Sequence, residues 1–410
     1  MKRIFIIFII ALSTPVLAEN ITRTVKDGLK KPQKREQLEN WGKSLLAEAA
    51  KPETRHKKRV ECLLLAAECS KAINTAENVN LYLKKPYDTV AFFSSIRDFF
   101  TRVEMADSVG AQPNEKGKVD LSGRRRYREM LTPYRSNLLT GGKWYYQHGQ
   151  TRKSYDYFNA YLDATEHPIF EQDSLQEKDV QVPMTAYLAV FSAQKEGMID
   201  GVIKHASRAK LAGQRSDLVQ EYLARAWESK GDTARWLSSL HEGIRSYASN
   251  HFFFTHLLNY YTTTAQWEKG LALADSMTVV SDTVALFWYA KSLMLLKLHR
   301  DREAIEACDA CIKLSPDHVN AYYNKGIAAL NLATVFAETA CTDLKNPQCR
   351  KDQEVIRGLY QLARQPMERV RQLSPDDQER WGPALYRIYL HLNLGKEFDE
   401  IDQILKKNKQ

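Results

Sequence analysis

Helical hairpins recurring at one interval constrain this chain more than any other feature of its sequence. The clearest of them is residues 285–318, ALFWYAKSLMLLKLHRDREAIEACDACIKLSPDH. Trp288, Ser292 and Leu295 follow one another at helical spacing. After the polar turn His299-Arg300-Asp301, Ala304, Cys308 and Cys311 do the same. Pro316 stops the second helix, because it has no N–H to donate and its ring clashes with the turn before it. Small residues set between large ones let two antiparallel helices approach closely. The residue that opens each second helix therefore marks the phase: Ser154, Gly201, Trp236, Gly270, Ala304 and Ala363. From Gly201 to Ala304 the successive gaps are 35, 34 and 34 residues. Trp236 is the one large residue in the set and puts the packing of its own hairpin in question. Longer gaps on either side place inserts at about 167–182 and 333–357. No convincing strand-like alternation occurs, so the chain is expected to be all-α.

This pattern resembles a tetratricopeptide repeat. Trp288, Ser292, Leu295, Ala304 and Pro316 stand at that family's signature spacings, and 34 residues is its period. Tyr322, Gly326 and Ala329 match again, and Leu373-Ser374-Pro375 echoes Leu314-Ser315-Pro316. Cys308 and Cys311 replace the family's usual aromatic and alanine. The resemblance covers residues 124–410 most clearly. It implies an α-solenoid, a right-handed superhelix of hairpins whose first helices line a concave groove. In that register the groove carries Lys143, Tyr146 and Gln147; Gln194; Glu221 and Arg225; Thr255 and Asn259; Tyr289; and Asn320, Tyr323 and Asn324. Amide and charged groups beside tyrosine rings suit an extended peptide. The resemblance thus implies a protein or peptide partner and no cofactor.

Ahead of the array, residues 19–107 read as a divergent helical segment, with helices at 33–50, 55–76 and 87–106. Residues 108–123 (SVGAQPNEKGKVDLSG) read as a loop or hinge. At the start, Met1-Lys2-Arg3, the apolar run 4–12 and the ending Val16-Leu17-Ala18 have the form of a secretory signal peptide over residues 1–18. No later stretch is long and apolar enough to span a membrane. The whole chain is similar to exported tetratricopeptide proteins of Bacteroidetes-type bacteria, which implies a periplasmic or envelope setting.

The net charge of +9 suits acidic partners or anionic surfaces. Its densest runs, 51–59 (KPETRHKKR) and 124–128 (RRRYR), are read first as solvated helix starts, and otherwise as contacts with an anionic surface. Nucleic acid does not fit an exported chain. Export permits disulfides, and Cys341 and Cys349, flanking a short turn-rich segment, are the candidate pair. Cys62 and Cys69 sit seven apart on a helix, about 10 Å by helix rise, too far to bond each other. Cys308 and Cys311 lie mid-helix, where buried thiols are expected rather than a redox pair.

Catalytic motifs are missing: there is no HExxH, GxSxG or P-loop. His251 and His256 have poor spacing for one metal, so no metal site is expected. Asp301, Glu303 and Glu306 are expected on a solvated face. The chain is thus read as a non-enzymatic scaffold. The alternative is an enzyme accessory or carbohydrate-binding protein of the envelope, which would need exposed Trp144, Trp227, Trp267 or Trp381 in a groove beside carboxylates.

Overall fold

A computed structural model describes residues 18–343 and 345–407. All of the expected leader except Ala18 lies outside them. Among the described residues the regular structure is entirely helical. The chain divides into two compact units between Thr233 and Ala234.

The first unit begins with α1 (Ala18–Gly28), α2 (Arg35–Ala50), α3 (His56–Tyr82) and α4 (Thr89–Gly110). Helix α1 has no counterpart among the expected helices. It is held by Val25, which is fully buried against Leu38, Leu45 and Cys62. Asp88 starts α4 by accepting from the backbone N–H of Ala91 at 2.9 Å, which satisfies one of the helix's orphan donors. A loop follows, and it is tied down: Asp120 donates its N–H to the Gly110 carbonyl, and Asn114 donates its N–H to the Lys118 carbonyl. Then come α5 (Arg124–Leu131), α6 (Arg135–Gln147), α7 (Thr151–Glu166), the short α8 (Leu175–Lys178), α9 (Val182–Lys195), α10 (Ile199–Lys210) and α11 (Ser216–Ser229). Phe93, Ile96, Phe100 and Val103 of α4 share one core with Tyr145, Tyr157 and Phe158 of α6 and α7.

The second unit holds α12 (Thr233–Ser246), α13 (His251–Thr263), α14 (Trp267–Val280), α15 (Ala285–Lys297), α16 (Asp301–Leu314), α17 (Val319–Thr339), α18 (Pro347–Leu373), α19 (Gln378–Leu392) and α20 (Gly395–Lys407). Within each unit, helices pack chiefly on those before and after them in the chain. The turns inside the hairpins carry the period in their backbone. Gly197, Gly231, Ala265 and His299 all have positive φ, between 54° and 71°, and each stands 34 residues after the last. Glycine takes that conformation freely, whereas alanine and histidine hold it against local steric cost.

The two inserts differ. The second lengthens its flanking helices, α17 and α18, as the sequence suggested. The first was expected to project as a polar loop, but it folds back. Ile169 and Phe170, 3 % and 1 % exposed, join the core of the first unit. Arg135 of α6 then grips Asp179 beyond them at 2.5 Å. Trp236 turns its ring edge-on to Tyr260 of α13, the helix that follows its own, with centroids 5.7 Å apart.

Candidate protein-binding surface

The first helix of each hairpin positions the residues expected to meet a partner. In the first unit Lys143, Tyr146 and Gln147 stand exposed on the last turns of α6, while Gln194, near the end of α9, is half-buried. On α11, Glu221 is half-buried and Arg225 exposed. In the second unit Thr255 and Asn259 are exposed on α13, although Thr255 turns its hydroxyl to the His251 carbonyl. The amides of Gln147, Gln194, Asn259 and Asn320 make no side-chain hydrogen bond among the described residues.

The richest part of this surface joins α15, α17 and α19. Tyr289 of α15 packs its ring against that of His318, at the start of α17, with centroids 4.8 Å apart. Tyr323, just over one turn further along α17, lies beneath the guanidinium of Arg380 from α19, 4.2 Å from the ring centroid. Asn320 stands half-buried between them in sequence. Burial raises the Tyr289 phenol above its usual range and lowers the His318 imidazole below its own. Both are therefore neutral near pH 7, and Arg380 supplies the fixed charge of the cluster. His318 and Arg380 escaped the sequence reading. His318 lies in the connection before its helix, and Arg380 belongs to a hairpin with a weak repeat signature.

Asn324 corrects the expected set. It is 6 % exposed and donates its amide to the hydroxyl of Ser292 at 3.2 Å. That bond fastens α15 to α17, so Asn324 is a packing residue. Asp301 is a second correction: it is buried and accepts from the Asn331 amide at 2.9 Å. Glu303 is exposed, as expected, and pairs with Arg300.

Ion pairs neutralise most of the second basic run and part of the first. Lys51 pairs with Glu48 at 2.7 Å, Arg124 with Asp107 at 3.0 Å and Arg125 with Glu129 at 3.1 Å. The fold also brings the runs together. His56 and Lys57 from one and Arg126 from the other line a cleft of about 770 Å³ in the first unit, along with Glu61, Asp107 and Asp120. Its charge is mixed, not basic.

No group of three metal-ligating side chains occurs among the described residues. His251 packs on Phe287, and His256 bonds the Phe252 carbonyl through Nδ1. None of the seven tryptophans is exposed: Trp144, Trp227 and Trp267 are half-buried and Trp381 is 2 % exposed. The exposed tryptophan platform that a sugar site needs is therefore not there.

Cys62, Cys69, Cys308 and Cys311 are buried thiols, and Cys341 and Cys349 lie within hydrogen-bonding reach of each other. Burial pushes Cys62, Cys69 and Cys311 up to about 11 and Cys308 up to about 12. At pH 8 these four should resist iodoacetamide in the native protein and react only after denaturation, since the thiolate is the nucleophile. Cys341, half-buried, should label first. Peptide mass spectrometry checks the order, and native labelling of Cys308 would contradict the packing of α15 on α16.

No family model matches the chain, and no curated protein matches it. Solved structures do. The C-terminal part of a TPR repeat-containing protein from Cytophaga hutchinsonii aligns at 10 % identity and a TM-score of 0.40, over 63 % of this chain and 91 % of that one. A TPR repeats protein from Bacteroides fragilis aligns at 12 % identity and a TM-score of 0.31, over 66 % and 98 %. The TPR2AB domain of yeast Sti1, in complex with pHSP90, aligns at 15 % identity and a TM-score of 0.21, over 68 % and 100 %. All three are tetratricopeptide-repeat proteins. The 34-residue spacing of the turns stands on this chain's own backbone.

Proposed function

We propose that this chain is an exported, non-enzymatic scaffold of the cell envelope that holds an extended segment of another protein along the first helices of the hairpins within a unit. One observation carries the reading. Gln147, Gln194, Asn259 and Asn320 present amides without side-chain partners on first helices, next to or one hairpin away from the rings of Tyr146, Tyr289 and Tyr323. An amide offers both a donor and an acceptor, as a peptide backbone does, and a tyrosine ring adds contact area at little entropic cost. Export is supported by the form of residues 1–18.

The test is capture of the partner by cross-linking in intact cells, followed by the same capture with Tyr289→Ala and Tyr323→Ala combined. The pair should weaken capture on the order of tenfold or more, as loss of two aromatic anchors does, and shift the melting midpoint only slightly. Undiminished capture would remove this surface from the function. Recovery of the protein with the cytosolic fraction would remove the envelope setting while leaving the binding surface intact.

A further inference from the structure

The tip of the α3–α4 hairpin has a surface unlike the rest of the protein. Six of the nineteen exposed large hydrophobic side chains among the described residues fall within residues 79–90: Val79, Leu81, Tyr82, Leu83, Tyr87 and Val90. Tyr82 is 83 % exposed and Leu83 52 %. Concentration on that scale is not what scattered surface leucines and valines produce, and contiguous exposed apolar surface marks an interaction site.

The geometry narrows what can cover it. Asn74 donates its amide to the Phe92 carbonyl at 2.9 Å, which fixes where α3 and α4 lie side by side. Beyond that bond α3 runs on for eight residues to Tyr82, about 12 Å by helix rise. Lys84 then reverses the chain with φ of 54°. By helical spacing Val79, Leu81, Tyr82 and Leu83 ring the end of α3 and do not lie along one stripe, and Tyr87 and Val90 follow in the connection and at the start of α4. A stripe fits a partner helix or a groove. A ringed tip fits a medium that surrounds it.

The charges favour one such medium. Both acids nearby are engaged: Asp88 pairs with Arg35 at 2.7 Å and caps α4, and Glu77 accepts from the Asp88 N–H at 3.0 Å. Lys84 and Lys85 are exposed and make no ion pair among the described residues. Two lysines in the turn that ends the helix, next to Tyr82 and Leu83, give the tip ammonium groups that can meet lipid phosphate while the apolar groups beside them enter the acyl boundary and the tyrosines sit at headgroup level. Among the described residues no helix is long and apolar enough to cross a membrane, so surface insertion is the mode that fits.

We propose that residues 79–90 dock the protein on an anionic lipid surface. The inference does not depend on the peptide-binding reading, because the tip and the tyrosine cluster share no residue. It is tested by sedimenting the full chain with vesicles of equal parts phosphatidylglycerol and phosphatidylcholine, and with vesicles of phosphatidylcholine alone. The protein should pellet with the anionic vesicles, less so at high salt. Tyr82→Ser with Leu83→Ser should lower the partition coefficient on the order of a hundredfold. Lys84→Gln with Lys85→Gln should lower it roughly thirtyfold. All four side chains are exposed, so circular dichroism should show both variants folded. Three results would overturn the proposal. The protein could stay in solution with anionic vesicles. Its binding could be the same in both variants, which would move the contact to the basic runs at 51–59 and 124–128. Or it could self-associate through the tip, with the Tyr82/Leu83 variant monomeric in sedimentation velocity and no vesicle binding by either.

Discussion

Replacing Gly142 with leucine should destabilise the first unit by about 3 kcal/mol and lower its melting midpoint by roughly 6–12 °C. A Cβ on Gly142 would lie 2.5 Å from Cδ1 and Cε1 of Phe158. Phe158 is fully buried and packed among other aromatic rings, so it has nowhere to retreat. The same helix pair is fastened by Ser154, whose hydroxyl donates to the Gly142 carbonyl at 2.9 Å. Moving α6 off α7 to make room would break that bond as well. Gly270→Leu is the informative control. Its Cβ would meet the sulfur of Met294 at 2.5 Å, at the flexible end of a thioether chain. That change should cost about 1–2 kcal/mol, because methionine adapts where a ring cannot. Thermal melts that rank the two variants equally, or in reverse, would contradict this account of hairpin contact.

Arg135→Ala should destabilise the same unit by about 3 kcal/mol at pH 7. Arg135 and Asp179 are 12 % and 11 % exposed at the side chain, and the guanidinium also lies over the Tyr161 ring, 3.9 Å from its centroid. Tyr161 donates its hydroxyl to the same carboxylate at 2.6 Å. Without Arg135 a largely buried negative charge keeps only neutral donors. The pH dependence follows. Burial acts to raise the Asp179 carboxyl, but the Tyr161 hydroxyl and Arg135 hold it below its ordinary value of 3.8. A group depressed in the folded state contributes stability above its unfolded pKa, and that contribution is lost as pH falls through the folded value. The penalty of Arg135→Ala should therefore be largest at pH 7 and shrink toward pH 3. Urea titrations at the two pH values check it, and an equal penalty at both would show that Arg135 acts by packing alone.

The same residues show what could and could not be read from sequence. The hairpins were legible because helix contact demands a small residue at a fixed place, so Gly201, Gly270 and Ala304 register a repeat that side-chain identity elsewhere has lost. The first insert was misread for the opposite reason. Its composition is polar, and two apolar residues, Ile169 and Phe170, are enough to anchor it once Asp179 finds Arg135 across 44 positions of sequence. Composition averages hide such anchors. Helix α1 went unseen because Ile21 and Val25 give just one helical interval of apolar spacing. Of the residues expected in the groove, Tyr289 on α15 and Tyr323 on α17 are half-buried. Asn324 is buried instead, because one step around a helix turns a side chain from water to the neighbouring helix, and sequence phase is no finer than that step. The arginine over Tyr323 comes from two helices further on, a distance that periodicity does not measure.

Packing on sequence neighbours has a consequence for synthesis. A helix that rests mainly on its predecessor and successor closes only short loops, and such low contact order favours fast folding. In each unit a pair can therefore set soon after its second helix leaves the ribosome or a translocation pore, without waiting for distant chain. The exceptions are clasps such as Arg135 with Asp179. They are the places where assembly must pause for a later segment to arrive.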